Sequence, residues 1–203
     1  MSKALRRKFK IINLRGCNGS GKSFIVRQLM EKTGAKPIYG KPKPGQFIGR
    51  INGYKGIYKG TPIFFLGSYE VMSGGCDAIL KHDDILLVCD LVREFSKEGH
   101  VVFEGFLLTG IFQRFHDLSQ ELGGIIFCFM DTPLKKCLAR IKRRNEEKGV
   151  VLGKTRGSMG TKHVAQKIYE GERTMKKLKA HGEQIVIIDH KNPMKAVYKL
   201  INS

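Results

Sequence analysis

The chain has 203 residues, of which 41% are apolar and 27% charged, enough for one full hydrophobic core and ordinary for a globular protein. No apolar run approaches the ~20 residues of a membrane span, and the basic stretch 3–10 leads into no long apolar region of the signal-peptide kind, so a cytoplasmic protein is expected. The formal net charge of +19 is unevenly spread: residues 1–60 hold fifteen Lys/Arg and one acid, residues 61–131 four and eleven, residues 132–181 fifteen and four. Two basic segments around an acidic middle exceed what a small nucleotide requires and point to a polyanionic partner such as nucleic acid.

Taken in chain order, residues 9–14 read as a strand and 21–33 as a helix, with Phe24, Ile25, Leu29 and Met30 near helical spacing and Gly34 as the stop. Residues 36–59, rich in Gly, Pro, Lys and Tyr, read as a β-hairpin or extended insertion, and 62–66 (PIFFL) as a buried strand. Asp83 or Asp84 caps a helix to 97, with Ile85, Val88, Val92 and Phe95 on one face and Gly99 as terminator. A strand at 101–103, a helix at 111–121 and a strand at 125–130 follow. Pro133 opens a helix to about 148. Residues 149–160 read as a mobile loop, 161–180 as a helix, 185–188 as a strand and 193–201 as a helix. Strands alternating with helices indicate an α/β domain with a parallel sheet, and the uniformly apolar runs VVF, IIFCF and IVII fit a sheet covered on both faces. The expected organisation is one domain over 1–203. The five cysteines are odd in number and form no CxxC, which suits buried, reduced thiols better than a disulfide frame or a zinc site.

Three stretches carry chemistry. The first, RGCNGSGKS, matches G-x-x-x-x-G-K-S through Gly16, Gly21, Lys22 and Ser23, with Cys17, Asn18, Gly19 and Ser20 between. Glycines let the backbone wrap a phosphate, the following helix aims its positive end at it, Lys22 reaches the β/γ oxygens, and the Ser23 hydroxyl is a Mg²⁺ ligand. The second is Glu104, at the end of the strand before Gly105. A carboxylate at the carboxyl edge of a neighbouring strand either holds Mg²⁺ through water or takes a proton from an attacking hydroxyl. The third, LGSYEVMSGGCD, places Tyr69, Glu70 and Asp77 around paired glycines after another strand. It reads as an acceptor pocket, or as a turn with Asp77 capping the next helix. Arg140 and Arg144 share a helix face that leads through Lys148, Lys154 and Arg156 into the glycine-bearing loop. That combination suits a lid over 140–165.

The phosphate loop, LGSYEVMSGGCD and GHVVFEGFLLTG together resemble the bacteriophage P-loop kinases that act on 5-hydroxymethyluracil in DNA, within the nucleoside-monophosphate-kinase-like group. The resemblance runs in order from about residue 9 to 189. It implies a five-stranded, mostly parallel sheet sandwiched by helices, with a basic helical lid and a β-rich insertion. It also implies ATP-dependent phosphorylation of the hydroxymethyl group on the base within DNA, giving 5-phosphomethyluracil as an intermediate in thymine hypermodification. On that likeness residues 16–23 bind ATP and Mg²⁺, Tyr69, Glu70 and Asp77 face the acceptor, Glu104 sits on the metal-side strand, and Arg140 and Arg144 lie on the lid. The insertion interleaves basic residues with Tyr39, Phe47, Tyr54 and Tyr58, the pattern of a DNA-contacting arm or of a hairpin whose aromatics pack on the core. Two rival readings are a small-molecule kinase and a nucleic-acid-binding ATPase.

Overall fold

The apolar run near the start of the chain forms β1 (Ile11–Arg15), and all five of its residues are buried. The structure is a computed structural model and describes residues 8–42, 49–70, 74–80, 85–105, 107–147 and 161–203. The other strands are β2 (Lys36–Tyr39), β3 (Ile51–Tyr58), β4 (Thr61–Leu66), β5 (His100–Glu104), β6 (Ile126–Asp131) and β7 (Gln184–Asp189). They form one sheet in the order β2-β3-β4-β5-β1-β6-β7. Neighbours from β4 through β7 are parallel, whereas β2 pairs with β3, and β3 with β4, in antiparallel fashion.

The five expected strands are the parallel ones, and the sheet has seven because the 36–59 insertion adds two strands to its edge. Lys59 and Gly60, with φ of 48° and 79°, form a two-residue turn between β3 and β4. Positive φ at both positions matches the twist of a tight hairpin. Along β3, Tyr54, Gly56 and Tyr58 are buried while Lys55 and Ile57 are exposed, the alternation of a half-covered strand.

The helices are α1 (Lys22–Lys32), α2 (Asp77–Leu80), α3 (Ile85–Phe95), α4 (Gln113–Glu121), α5 (Leu134–Glu147), α6 (Thr161–Ala180) and α7 (Pro193–Asn202). The expected cap at Asp83 or Asp84 lies outside the described residues. The helix expected from 111 begins at Gln113, after a separate 3₁₀ turn at Leu107–Gly110. Helices cover both faces of the sheet. Phe103, Phe115 and Phe127 pack with α3 and α4 residues on one face, and Leu14, Ile25, Phe65 and Val197 pack with α1 and α7 on the other. The run IVII is less covered than its composition suggests, because β7 is an edge strand and Ile187 is 52% exposed. A small third cluster of Cys17, Cys137, Ile141 and Val164 joins the loop after β1 to α5 and α6. All five cysteines are free and buried. Among the described residues no helix is long and apolar enough to cross a membrane. The carboxyl ends of the five parallel strands share one edge, where ligands of such sheets bind.

Candidate active site

Beyond Arg15 the chain turns through Gly16, Gly19 and Gly21, with φ of 151°, 78° and 105°. A Cβ at Gly19 would lie 2.4 Å from the carbonyl oxygen of Cys137, so the loop passes α5 too closely for a side chain. Gly21 precedes α1 without a side-chain cap, leaving the amides of the first helical turn for a ligand. Lys22 is buried, and its ammonium donates to the carbonyl oxygens of Gly16 at 2.8 Å and Cys17 at 3.1 Å. The Ser20 hydroxyl is buried with no hydrogen-bond partner among the described residues.

Two residues that the motif did not single out brace this loop from beneath. Arg15 is fully buried against Phe115, Phe127 and Phe129, its guanidinium 4.9–6.0 Å from their ring centres. It donates to Asn13 Oδ1 and to the Ile111 carbonyl, and burial pushes its pKa down to about 9. The Thr109 hydroxyl lies 3.2 Å from the Gly16 nitrogen and 3.1 Å from the Gly16 oxygen, accepting from one and donating to the other. Spacing gives no signal for either contact, since both depend on the 3₁₀ turn lying beneath the loop.

Glu104 closes β5 with 2% exposure, and its Oε1 accepts the Ser23 hydroxyl at 2.7 Å. Burial pushes this carboxyl above its ordinary range, against the opposing pull of Lys22 and Ser23. The GGCD segment lies directly on it: a Cβ at Gly75 would stand 2.6 Å from Glu104 Oε1, and the Cys76 amide donates to the Glu104 carbonyl at 2.8 Å. Asp77 opens α2 and accepts the Leu107 amide at 3.1 Å, tying the GGCD segment to the chain just after Glu104.

These elements enclose a cleft of about 580 Å³. Its lining brings Lys22, Ser23, Asp77, Glu104, Arg140 and Arg144 together from four separate stretches, with Asn18, Gly19, Ser20 and Gly21 on the floor. Gly16 and Cys17 do not line it. Gly16 sits on Thr109, and the Cys17 thiol lies 3.4 Å from that of Cys137, a contact that with Lys22 lowers its pKa. Arg140 donates to the Gly19 and Ser20 carbonyls at 3.0 and 3.2 Å, so it braces the loop. Thr132, just past β6, donates to the same Ser20 oxygen at 2.8 Å.

Tyr69 and Glu70 stand apart from the lining. Tyr69 is 3% exposed, with its ring beside Tyr54 and Arg27 and its hydroxyl without a partner among the described residues; burial pushes its pKa up. Glu70 is exposed. Lys148, Lys154, Arg156 and the loop 149–160 lie outside the described residues. Met130, His190 and Pro193 complete the cleft on the β6 and β7 side, and only the strand order reveals them.

A phosphate cradle facing arginines across a cleft, with one carboxylate ending the adjoining strand and another opening a nearby helix, is the arrangement of a P-loop kinase. Comparison with known proteins narrows the class. The family model described as 5-hmdU DNA kinase matches residues 3–154. The 5-hmdU DNA kinase of Pseudomonas phage PaMx11 is 30% identical over 198 residues, 97% of this chain and 99% of that protein. The 5-hmdU DNA kinase of Pseudomonas phage M6 is 32% identical over 151 residues, 70% of this chain and 75% of that one. A solved structure of deoxyadenosine kinase from M. mycoides with bound dATP is 14% identical with a TM-score of 0.48, over 95% of this chain and 99% of that one. The chain belongs to the 5-hmdU DNA kinase family.

Proposed function

We propose that this chain transfers the γ-phosphoryl group of ATP to the hydroxymethyl group of 5-hydroxymethyluracil in DNA, in the host cytoplasm, leaving 5-phosphomethyluracil for further modification of the thymine position. The observation that carries this reading is the meeting of the phosphate loop with Asp77 and Glu104 in one cleft. The strand order supports a reading in which the two substrates take opposite sides. Glu104 ends β5 on one side of β1, whereas Met130 near the end of β6 and His190 and Pro193 after β7 lie on the other. The acceptor base belongs on the first side and the nucleoside of ATP on the second. Tyr69 and Glu70, at the exit of β4, flank the acceptor side.

Lys22 exchanges its two loop carbonyls for β/γ-phosphate oxygens, which are stronger, charge-assisted acceptors. Asp77 orients the acceptor hydroxyl and takes its proton as the oxygen attacks phosphorus and the bond to ADP breaks. Arg144 stabilises the charge on the transferring group, joined by Arg140 on its release from the loop carbonyls. The Ser23 hydroxyl and Glu104 carboxylate, facing each other at 2.7 Å, are hard oxygen donors of the kind Mg²⁺ takes in ones and twos beside substrate phosphates. Among the described residues no group of three or more His, Cys, Asp or Glu could hold a metal alone, so the ion would be shared with the nucleotide. Bound there, Mg²⁺ would supply charge that neutralises the phosphates of the nucleotide.

Transfer of label from γ-labelled ATP tests the reading. Label should enter DNA containing hydroxymethyluracil and not thymine DNA. Equal or better transfer to free hydroxymethyl-deoxyuridine monophosphate would make the chain a small-molecule kinase, and release only as inorganic phosphate would make it an ATPase.

A further inference from the structure

Two thiols meet at the phosphate loop, outside the lining of the main cleft. Cys17 belongs to the loop and Cys137 to the first turn of α5, and their sulfurs lie 3.4 Å apart. The backbones touch at the same place, since a Cβ at Gly19 would lie 2.4 Å from the Cys137 carbonyl oxygen. Further along α5, Arg140 donates to the Gly19 and Ser20 carbonyls. The pair therefore sits at the joint between the loop and the helix that carries Arg140 and Arg144.

The two thiols are chemically unlike. Their contact and the charge of Lys22 pull the Cys17 pKa down against the opposing effect of burial, whereas the contact and burial push the Cys137 pKa up. Cys17 is thus the first of the two to ionise, and the thiolate is the form that oxidants attack. Burial raises the pKa of Cys76, Cys89 and Cys128, which holds those thiols in the protonated form. Cys17 also lines a second, smaller cleft of about 180 Å³, shared with Thr132, Gly171, Glu172, Met175 and the exposed Ile187. One water occupies about 30 Å³ of liquid, so a molecule the size of hydrogen peroxide fits beside the Cys17 sulfur.

We propose that Cys17 and Cys137 form a redox-sensitive site, in which a peroxide joins them as a disulfide that fastens the phosphate loop to α5 and weakens ATP binding. The Cys17 thiolate attacks one peroxide oxygen; the O–O bond breaks, and hydroxide leaves to become water with the proton that Cys17 gave up. The resulting sulfenic acid is attacked by the Cys137 sulfur; the S–O bond breaks, and hydroxide leaves with the Cys137 proton as a second water. Two electrons pass from the two sulfurs to the peroxide. The S–S bond, at ~2.05 Å, is about 1.4 Å shorter than the present contact. At Gly19 the loop has no slack toward α5, so closing that gap turns the peptides of Gly16 and Cys17, whose carbonyls hold Lys22. The loop amides then no longer converge on a phosphate. The switch needs the loop to bind nucleotide and is independent of the acceptor that takes the phosphoryl group.

The test treats the folded, unaltered protein with hydrogen peroxide, blocks the remaining thiols after denaturation, and digests it with trypsin without reductant. Peptides 16–22 and 137–140 should appear joined, two hydrogens lighter than their sum, with two of the five thiols lost. ATP affinity, measured by calorimetry before and after treatment, should fall about tenfold or more, the loss expected from one charge-assisted hydrogen bond to phosphate. It should recover with dithiothreitol. C137A should give no joined peptide, and C17A should keep through the treatment whatever ATP affinity it has without it. Where C17A folds poorly, the joined peptide in the unaltered protein decides the matter. Peptides that stay separate overturn the proposal, as do a joined protein that binds ATP as before and an equal loss of affinity in treated C17A.

Discussion

Replacing Glu104 by Gln separates what this residue does for the reaction from what it costs the fold. Gln keeps the size of the side chain and an oxygen able to accept the Ser23 hydroxyl at 2.7 Å, so the geometry beside Gly75 survives and only the charge is lost. Burial is the largest influence on the Glu104 carboxyl and raises its pKa in the folded protein. A carboxyl with a raised folded pKa contributes its stability below the unfolded value, ~4.3, and loses it as pH rises through the folded value. As pH rises above the unfolded value, Glu104 therefore becomes a net cost that Gln does not carry. E104Q should melt no lower than the unaltered protein at neutral pH, and the difference in its favour should grow as pH rises above about 4 and level off beyond the folded value. Activity should move the other way. Loss of one preorganised charge beside the phosphates should reduce kcat by about 10²–10³, with ATP affinity largely kept through Lys22 and the loop amides. Thermal unfolding without nucleotide across that pH range, together with label transfer at saturating ATP and Mg²⁺, measures both. A variant that melts lower and turns over normally would refute both the burial cost and the role.

Two further substitutions test packing around the cleft. Gly19→Ala sets a methyl 2.4 Å from the Cys137 backbone oxygen at a φ of 78°; left-handed backbone alone costs ~1–2 kcal/mol, so the melting temperature should fall by roughly 2–8 °C and the KM for ATP should rise, and unchanged values would show that α5 yields freely. Tyr69→Phe removes a buried hydroxyl that has no partner among the described residues, so it should raise the melting temperature and leave kcat on DNA within about twofold; a large loss of kcat would show that the hydroxyl meets the acceptor.

The site was legible where chemistry demands particular residue types at fixed local spacing. Lys22 and Ser23 follow from the loop pattern, and the places of Glu104 and Asp77 follow from strands that end where they do. Legibility ended where glycine and tyrosine serve packing across the sheet. Gly56 falls in the expected hairpin, but the sequence does not show why it is glycine: Thr33 fills the space above it, 2.4 Å from where its Cβ would stand. Tyr69 reads as a ring offered to a base, but the turn after β4 folds it inward beside Tyr54. Arg15 shows the same limit for charge: nothing in the sequence sets it apart from the other cations of its basic segment, and it is buried among three aromatic rings. Side-chain direction at a strand end depends on the neighbouring strand, and here the neighbours lie far along the chain.

The position of β1 between β5 and β6 also governs when the phosphate cradle comes into existence. Ile11 pairs with Val101, and Ile12 with Ile126, so the strand that carries the loop has no neighbour until about half of the 203 residues have been made, and its second only after that. At ~5–20 residues per second of synthesis that is a wait of roughly 5–20 s. During it the β2–β3–β4 meander, joined only by local contacts, forms ahead of the central strand. The cradle is thus incomplete until β6 and α5 arrive, and a product cut short before residue 126 keeps the loop, β5 and Thr109 but lacks Thr132 and Arg140, which donate to the Gly19 and Ser20 carbonyls.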